Sequence, residues 1–561
     1  MKKGLKSCLI VVLVLTGLCV AGVAGMYFAG LCPPQGPWPM PPWCSATPET
    51  TTPLSIQGIL EDGECPPVGP WPMPPWCENP ETLAKEGEDT NVSFWVTVPY
   101  TMQVDSMALS INGQDALAME KVGELSYAVE TTLPGQASVD YTYVINDTPL
   151  DTHYNIQITK KEQSIYDSTP FKPEYEPIKA VFMMDTWGRN YNFTWGEDTS
   201  KNIESSFERV AALGAQEVYV ADFYRAVYNS GSFELDNLDY QIEADIFEND
   251  QRDQAMTTEE LQRLADAAHA QGLKIAWSSN FTFVNFGDYI GKDIIALDTQ
   301  DKAKVHAPKS EEWVVDFLTK WRALMLDRAA AIEAAGFDIM IISPGYHDPS
   351  YTPYDSIADD MWIETIHEIR KVFSGEIGYV INGHHNWINA YEQQEWLDDH
   401  DFYNELDIPM AWLLDFSSDW ISDYKPASNS FEDLRTSMDL YMDDLEKGAG
   451  QLGQNPSIIF GCASMPDSFL LGNSDAQGID MQEAIVQLKN GTIAPDYQYQ
   501  ADCYEAMLQV SADRQVIDRI ILKGYWWADA MDPDTAMYSI SISETIRNKA
   551  AEAVVQKWWL K

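Results

Sequence analysis

"TTEELQRLADAAHAQGLKIAWSSNF", Thr257 to Phe281, contains one complete unit of the architecture that the chain repeats. Up to Gln271 the apolar residues recur at helical spacing, Gly272 stands where a helix should stop, and "KIAWSSNF" (274–281) then reads as a strand. Seven further strand-like runs alternate with helical patterns: "IKAVFMMDTW" (178–187), "EVYVADFY" (217–224), "FDIMIIS" (337–343), "IGYVINGHH" (377–385), "LDIPMAWLLD" (406–415), "SIIFGCAS" (457–464) and "RIILKGYWW" (519–527). Gly214 and Gly336 repeat the punctuation of Gly272, and "SETIRNKAAEAVVQKWW" (543–559) reads as a closing helix. Eight strands alternating with helices over 178–561 predict a (β/α)8 TIM barrel.

Upstream of the barrel the pattern changes three times. Residues 91–160 carry short alternating runs such as "VSFWVTVPY", "LSYAVETTLPG" and "ASVDYTYVIND", with Asn-Gly and Pro-Gly turns, and predict a small antiparallel β-sandwich. A linker covers 161–177. Residues 32–90 hold a duplication, "CPPQGPWPMPPWC" (32–44) and "CPPVGPWPMPPWC" (65–77). Proline fixes φ and removes backbone donors, so each copy is expected as a short polyproline stretch in a stiff stalk. The bounding cysteines suit disulfide-closed loops outside the cytoplasm. A partner that reads the exposed Trp of the repeats is the other reading.

Residues 1–31 open with Lys2, Lys3 and Lys6 and continue in an uncharged apolar run from Cys8 to Leu31. That length suits a transmembrane helix with the lysines inside, and so a single-pass membrane protein whose folded part lies on the extracellular side. A cleaved signal and a secreted protein is the alternative. The chain has 86 acidic against 36 basic residues and a formal net charge of −50. A surface of that sign repels phosphate backbones, so no nucleic acid partner is expected.

In barrels of this kind the site is built at the C-terminal ends of the strands. Those ends offer Asp185 and Trp187, Asp222 and Tyr224, Asn280, Tyr346, His347 and Asp348, Asn382 with His384 and His385, Trp412 and Asp415, and Trp526, Trp527 and Asp529. Indole and phenol faces cover the apolar face of a pyranose while carboxylate, amide and imidazole groups bond its hydroxyls, so the set fits a polysaccharide or glycan.

"YQYQADCYEAMLQV" (497–510), followed by "IDRIILKGYWWADAMDP" (517–533), resembles the last βα segment of the retaining glycoside hydrolase superfamily that includes cellulases and β-mannanases, where a Gln-Ala helix precedes a strand ending in Trp. "ELDIPMAWLLD" (405–415) is similar to the sixth strand of that group. The sandwich, through "FWVTVP" and "LPGQASVDYTYVIND", resembles the immunoglobulin-like or starch-binding-like accessory modules attached to such enzymes. The resemblance implies an acid/base glutamate at the end of strand four and a nucleophilic glutamate at the end of strand seven. This chain has Ser343-Pro344-Gly345 and Gly461-Cys462-Ala463 there.

Three readings follow. In the first, catalysis is relocated: Asp348 serves as nucleophile or base and Asp415 as acid, an arrangement that resembles barrels whose catalytic carboxyls come from strands four and six. In the second, the barrel is a non-catalytic carbohydrate-binding receptor or adhesin. In the third, it is the scaffold of a structural surface protein. No metal is expected, since His384 and His385 are adjacent and no His-x-x-x-His or Cys-x-x-Cys occurs, and no cofactor, since no phosphate loop or dinucleotide fingerprint appears. Cys462 and Cys503 are expected as a disulfide or as buried thiols.

Overall fold

The computed structural model describes residues 83–98, 102–122, 126–168, 176–183, 200–228, 237–244, 255–284, 308–344, 349, 351, 353–381, 400–415, 426–464, 486–525 and 541–560, with Asn280, Trp412 and Asp415 described by their backbone. The expected anchor and both Pro/Trp repeats lie outside these residues. Among the described residues no helix is long and apolar enough to cross a membrane. Ile56–Lys561 forms one compact unit.

Its first part is nine strands: β1 (Asp89–Thr97), β2 (Met107–Ile111), β3 (Leu117–Ala118), β4 (Glu120–Lys121), β5 (Ser126–Pro134), β6 (Ser138–Ile145), β7 (Thr148–Pro149), β8 (Tyr154–Gln157) and β9 (Glu162–Ser168). They make one sheet in the order β4-β5-β1-β9 and another in the order β3-β2-β6-β7, with β8 also on β6. The alternation read from sequence is the reason both sheets bury one face. Val92, Phe94 and Val96 of β1 meet Met107, Leu109 and Ile111 of β2 and Tyr141 and Tyr143 of β6 in a single apolar core. The turns are chemical necessities of the same segments. Asn112 and Gly113 both adopt positive φ, and at Gly135 a Cβ would lie 2.4 Å from the Lys85 carbonyl oxygen. β9 pairs in parallel with β1 from Asn91↔Glu162 to Thr97↔Ser168, so the sheet runs past residue 160 into the expected linker.

The second part adds β10 (Ile178–Met183), β11 (Glu217–Tyr228), β12 (Tyr240–Ala244), β13 (Lys274–Val284), β14 (Ile339–Ile341), β15 (Glu376–Ile381), β16 (Ile408–Asp415), β17 (Ser457–Gly461) and β18 (Arg519–Tyr525). β10 pairs with both β11 and β18, so the eight parallel strands close on themselves. All eight are the strands expected from sequence; β12, antiparallel to β11, is an addition with no counterpart in that expectation. The described helices around them are α1 (Ser200–Ala212), α2 (Thr258–Ala270), α3 (Glu311–Ala335), α4 (Asp355–Ile369), α5 (Phe431–Leu452), α6 (Tyr497–Arg514) and α7 (Ala550–Trp559). Thr257 and Glu260 form a capping box at the start of α2, and Gly214, Gly272 and Gly336 take the positive φ that ends a helix before its strand.

Period-two alternation divides the strand residues between two cores. Val218, Val220, Ile275, Trp277, Met340 and Ile342 pack with helix residues such as Phe317, Trp321 and Trp362. Ala180, Phe182, Tyr219, Ala221, Ala276, Ile339, Ile341, Val380, Ile408, Ile459 and Ile521 form a separate cluster that fills the lumen. Gly378 lies in the lumen phase, where a Cβ would come within 2.6 Å of Ile341 Cδ1 and 3.0 Å of Ile408 Cβ.

The N-terminal end of the lumen is closed by charge. Arg519 Nε lies 2.9 Å from Glu217 Oε2, both buried, and the Tyr219 hydroxyl donates to the same carboxylate at 3.1 Å. Burial pushes the Glu217 carboxyl up, against the pull of Arg519. A second charged contact joins the two parts of the unit. Asp167 of β9 accepts from the hydroxyls of Tyr141 and Tyr143 at 2.7 and 2.6 Å and pairs with Lys557 of α7 at 2.7 Å.

Two stability predictions follow from these buried charges. Arg519→Met should destabilise the barrel by about 3–5 kcal/mol, because it strands Glu217, whereas Glu217→Leu/Arg519→Met should recover most of the loss; denaturant melts of both check this. On α6, burial and the neighbouring carboxylates Glu505, Asp496 and Glu432 push Asp502 up to about 7, against a hydrogen bond from Gln498. A carboxyl whose folded value exceeds its unfolded one favours folding at low pH and loses that contribution as pH rises through about 7. Asp502→Asn should therefore match the parent near pH 4 and melt roughly 2–4 °C higher at pH 8.

Candidate active site at the barrel mouth

Of the residues expected at the mouth, Asp185, Trp187, Tyr346, His347, Asp348, Asn382, His384, His385, Trp526, Trp527 and Asp529 lie outside the described residues. Asn280 is the register partner of Phe223, and Trp412 and Asp415 are placed on β16 by their backbone.

Asp222 and Tyr224 correct the expectation. Both are buried on the outward face of β11, where they belong to the layer between strands and helices rather than to the lumen. Asp222 accepts from Trp277 Nε1 at 3.0 Å, from the Met256 backbone N–H at 3.2 Å and from the Tyr224 hydroxyl at 3.4 Å. Burial pushes its carboxyl up, opposed by Arg328 and these donors. Arg328 also donates to the Met256 carbonyl at 2.9 Å, so the cluster fixes the chain just before α2. The physical reason is parity: Tyr219 and Ala221 fill the lumen, so residue 222 must face the other way.

At the strand-four position Ser343 is fully buried. Its hydroxyl accepts from the Val380 N–H at 3.1 Å and its carbonyl accepts from Ser279 Oγ at 2.7 Å. The residue therefore stitches β13, β14 and β15 together, and its polar atoms are used within the wall.

The end of β17 differs. Gly461 follows Ile459 in the lumen phase, and a Cβ on it would lie 3.4 Å from Glu544 Cδ and 3.4 Å from Lys523 Cβ and Cδ. The space that a strand-seven side chain would occupy is thus bordered by an ion pair, with Lys523 Nζ 3.0 Å from Glu544 Oε1. Glu544 comes from the turn that precedes α7. The closing helix expected from Ser543 begins at Ala550, and residues 543–549 form an irregular segment in which Asn548 has positive φ.

A buried polar network holds this turn over the end of β17. Gln500 of α6 is fully buried. Its amide nitrogen donates to the Cys462 carbonyl at 2.7 Å and faces the carbonyls of Ser543, Glu544 and Thr545 at 3.2, 3.1 and 3.3 Å. With two N–H groups available, one serves β17 and the other is shared among the three turn carbonyls. Ser464 donates to Gln500 Oε1 at 3.0 Å, and Lys549 Nζ donates to Ser464 Oγ at 2.9 Å and to the Ser543 carbonyl at 2.8 Å. Burial pushes the Lys549 ammonium well below the usual lysine range, opposed by Cys462 and Glu544. Cys462 and Cys503 are buried and are not joined in a disulfide, so of the two expectations for them the buried thiol holds.

Sequence reading missed Glu544, Lys523 and Lys549. The available signal was Gly461: a glycine at the last lumen-facing position of a strand leaves room that another element can fill. Gln500 was noticed only as half of a Gln-Ala pair, and its role depends on a turn more than forty residues downstream. Among the described residues no group of three or more His, Cys, Asp or Glu is placed to hold a metal ion.

No family model and no curated protein sequence matches the chain. Among solved structures, it is similar to a GH113 β-1,4-mannanase, with 17% identity, a TM-score of 0.41, and coverage of 69% of this chain and 99% of that one. A GH113 β-mannanase from Alicyclobacillus acidocaldarius shares 17% identity at a TM-score of 0.39, with 68% of this chain and 96% of that one covered. A glycoside hydrolase family 5 mannosidase from Rhizomucor miehei shares 11% identity at a TM-score of 0.41, with 69% and 92% covered. These structural neighbours are glycoside hydrolases.

Proposed function

We propose that the chain is a membrane-anchored, extracytoplasmic glycoside hydrolase-like protein that acts on a polysaccharide or glycan by carboxylate acid/base hydrolysis. The observation that carries the reading is the end of β16. The backbone of Asp415 is the register partner of Gly461 at the end of a strand in the closed ring, above lumen layers filled by apolar side chains such as Ile459. A carboxyl at that place can donate a proton to a glycosidic oxygen lying across the mouth. The Trp residues read from the strand ends, Trp187, Trp412, Trp526 and Trp527, supply sugar-stacking faces in this proposal, with Asp348 a further carboxylate. Asp222 and Tyr224 are left out of it.

Export and anchoring rest on the Lys2, Lys3 and Lys6 cluster followed by the apolar run to Leu31. The Pro/Trp repeats then act as a spacer or partner-binding stalk, and the two small sheets as an accessory β-sandwich. A second reading, a receptor that holds a glycan without cutting it, is favoured by one observation: both Ser343 and Gly461 stand where the resembled superfamily keeps its glutamates.

The test is to incubate the full chain with a panel of purified plant, microbial and host glycans and to record retention and release of reducing ends. Release is expected for at least one glycan, with Asp415→Asn lowering kcat by about 10²–10⁴-fold while glycan retention persists. Retention with no release from the folded native chain would replace hydrolysis by the receptor reading.

A further inference from the structure

Resting on that hydrolytic reading, we propose that Glu544 is the catalytic nucleophile, delivered from the turn before α7 into the space that Gly461 leaves open at the end of β17. Three observations converge on it. The carboxyl carbon lies 3.4 Å from the position of a Cβ on Gly461, so the carboxylate projects into the lumen although its backbone lies outside the strand ladder. The space is filled by charge where the layer beneath is filled by Ile459 and Ile521. A buried ion pair is often less stabilising than apolar side chains of similar volume, so packing alone does not account for it. The turn is also held by Gln500, Ser464 and Lys549, all buried, whose hydrogen bonds fix the carbonyls on both sides of and at Glu544. Such support holds a reacting group in place.

The pair is not sealed off. The side chains of Lys523 and Glu544 are 8% and 20% exposed, so the carboxylate is the more open member of the pair. Asp415 is one ladder step away from Gly461.

The reaction runs in two displacements. A Glu544 carboxylate oxygen attacks the anomeric carbon, forming a glycosyl ester as the glycosidic C–O bond breaks, and the departing oxygen takes the Asp415 proton. Water then attacks the same carbon and gives a proton to the Asp415 carboxylate, while Glu544 departs with the electron pair of the ester bond. Lys523 is a positioning residue that holds the carboxylate against the wall.

The experiment uses the full chain and the glycan from the panel that it turns over fastest. Glu544→Gln should lower kcat of the folded protein by about 10³-fold or more, over and above the lower melting temperature expected from leaving Lys523 without its charge partner, and the first product released by the native chain should keep the anomeric configuration of its substrate. A 2-deoxy-2-fluoro glycosyl fluoride of the same sugar should label the native chain once, on the peptide containing Glu544; this arm needs no variant and decides the matter if Glu544→Gln does not fold. Labelling of Asp348, Asp415 or another carboxylate, inversion of configuration, or full turnover by folded Glu544→Gln would overturn the assignment and leave the hydrolytic reading intact. Absence of turnover by the native chain across the panel would overturn both.

Discussion

The closed ladder of parallel strands governs the rest of the molecule. Because β10 bonds to β11 on one side and β18 on the other, the ring of eight parallel strands has no edge, and within the ring successive residues face the lumen and the helices in turn. A one-residue change of phase moves a side chain from a potential site into a structural core. Asp222 and Gly461 illustrate the two outcomes. The first has catalytic chemistry and is turned outward onto Trp277; the second has no side chain and is turned inward, where its emptiness admits Glu544.

Charge in this barrel is arranged by level. At the N-terminal end Glu217 and Arg519 are both buried and paired with each other, with the Tyr219 hydroxyl donating to the same carboxylate. At the mouth Lys523 and Glu544 repeat the pairing one layer above Ile521, with the carboxylate partly open. A glutamate paired with a basic side chain, Arg519 at one end and Lys523 at the other, thus occurs at both levels, and the two pairs differ in solvent access. Between them lies the apolar layer that fills the lumen.

Much of the architecture was legible in the chain, because helix and strand periods are local. The run from Thr257 to Phe281 specifies helix, stop and strand through Thr257, Gly272 and the β-prone segment that follows, and the other strands obey the same rule. The Ser343-Pro344-Gly345 stretch was legible as a departure from the resembled glutamate position, but its purpose was not. That Ser343 accepts the Val380 N–H depends on which strand lies beside it. The expected helix from Ser543 failed for a related reason: "SETIRNKAAEAVV" has helical character, yet the Ser543–Lys549 segment bonds instead to Gln500 and Ser464, and those tertiary partners outweigh the local preference.

The sequence by itself determined the strand and helix order, the barrel class, the acidic surface and the glycine at the end of β17, since each follows from local pattern or composition. Only the tertiary structure decided that Asp222 faces the helices, that Ser343 is consumed in the wall, and that Glu544 reaches the mouth beside Lys523. Those outcomes depend on strand phase within a closed ring and on contacts between segments up to about eighty residues apart, such as Gly461 with Glu544 and Lys549 with Ser464. No local period in a chain encodes such distances, because they arise only when the ring closes and the last turn packs over strands already in place.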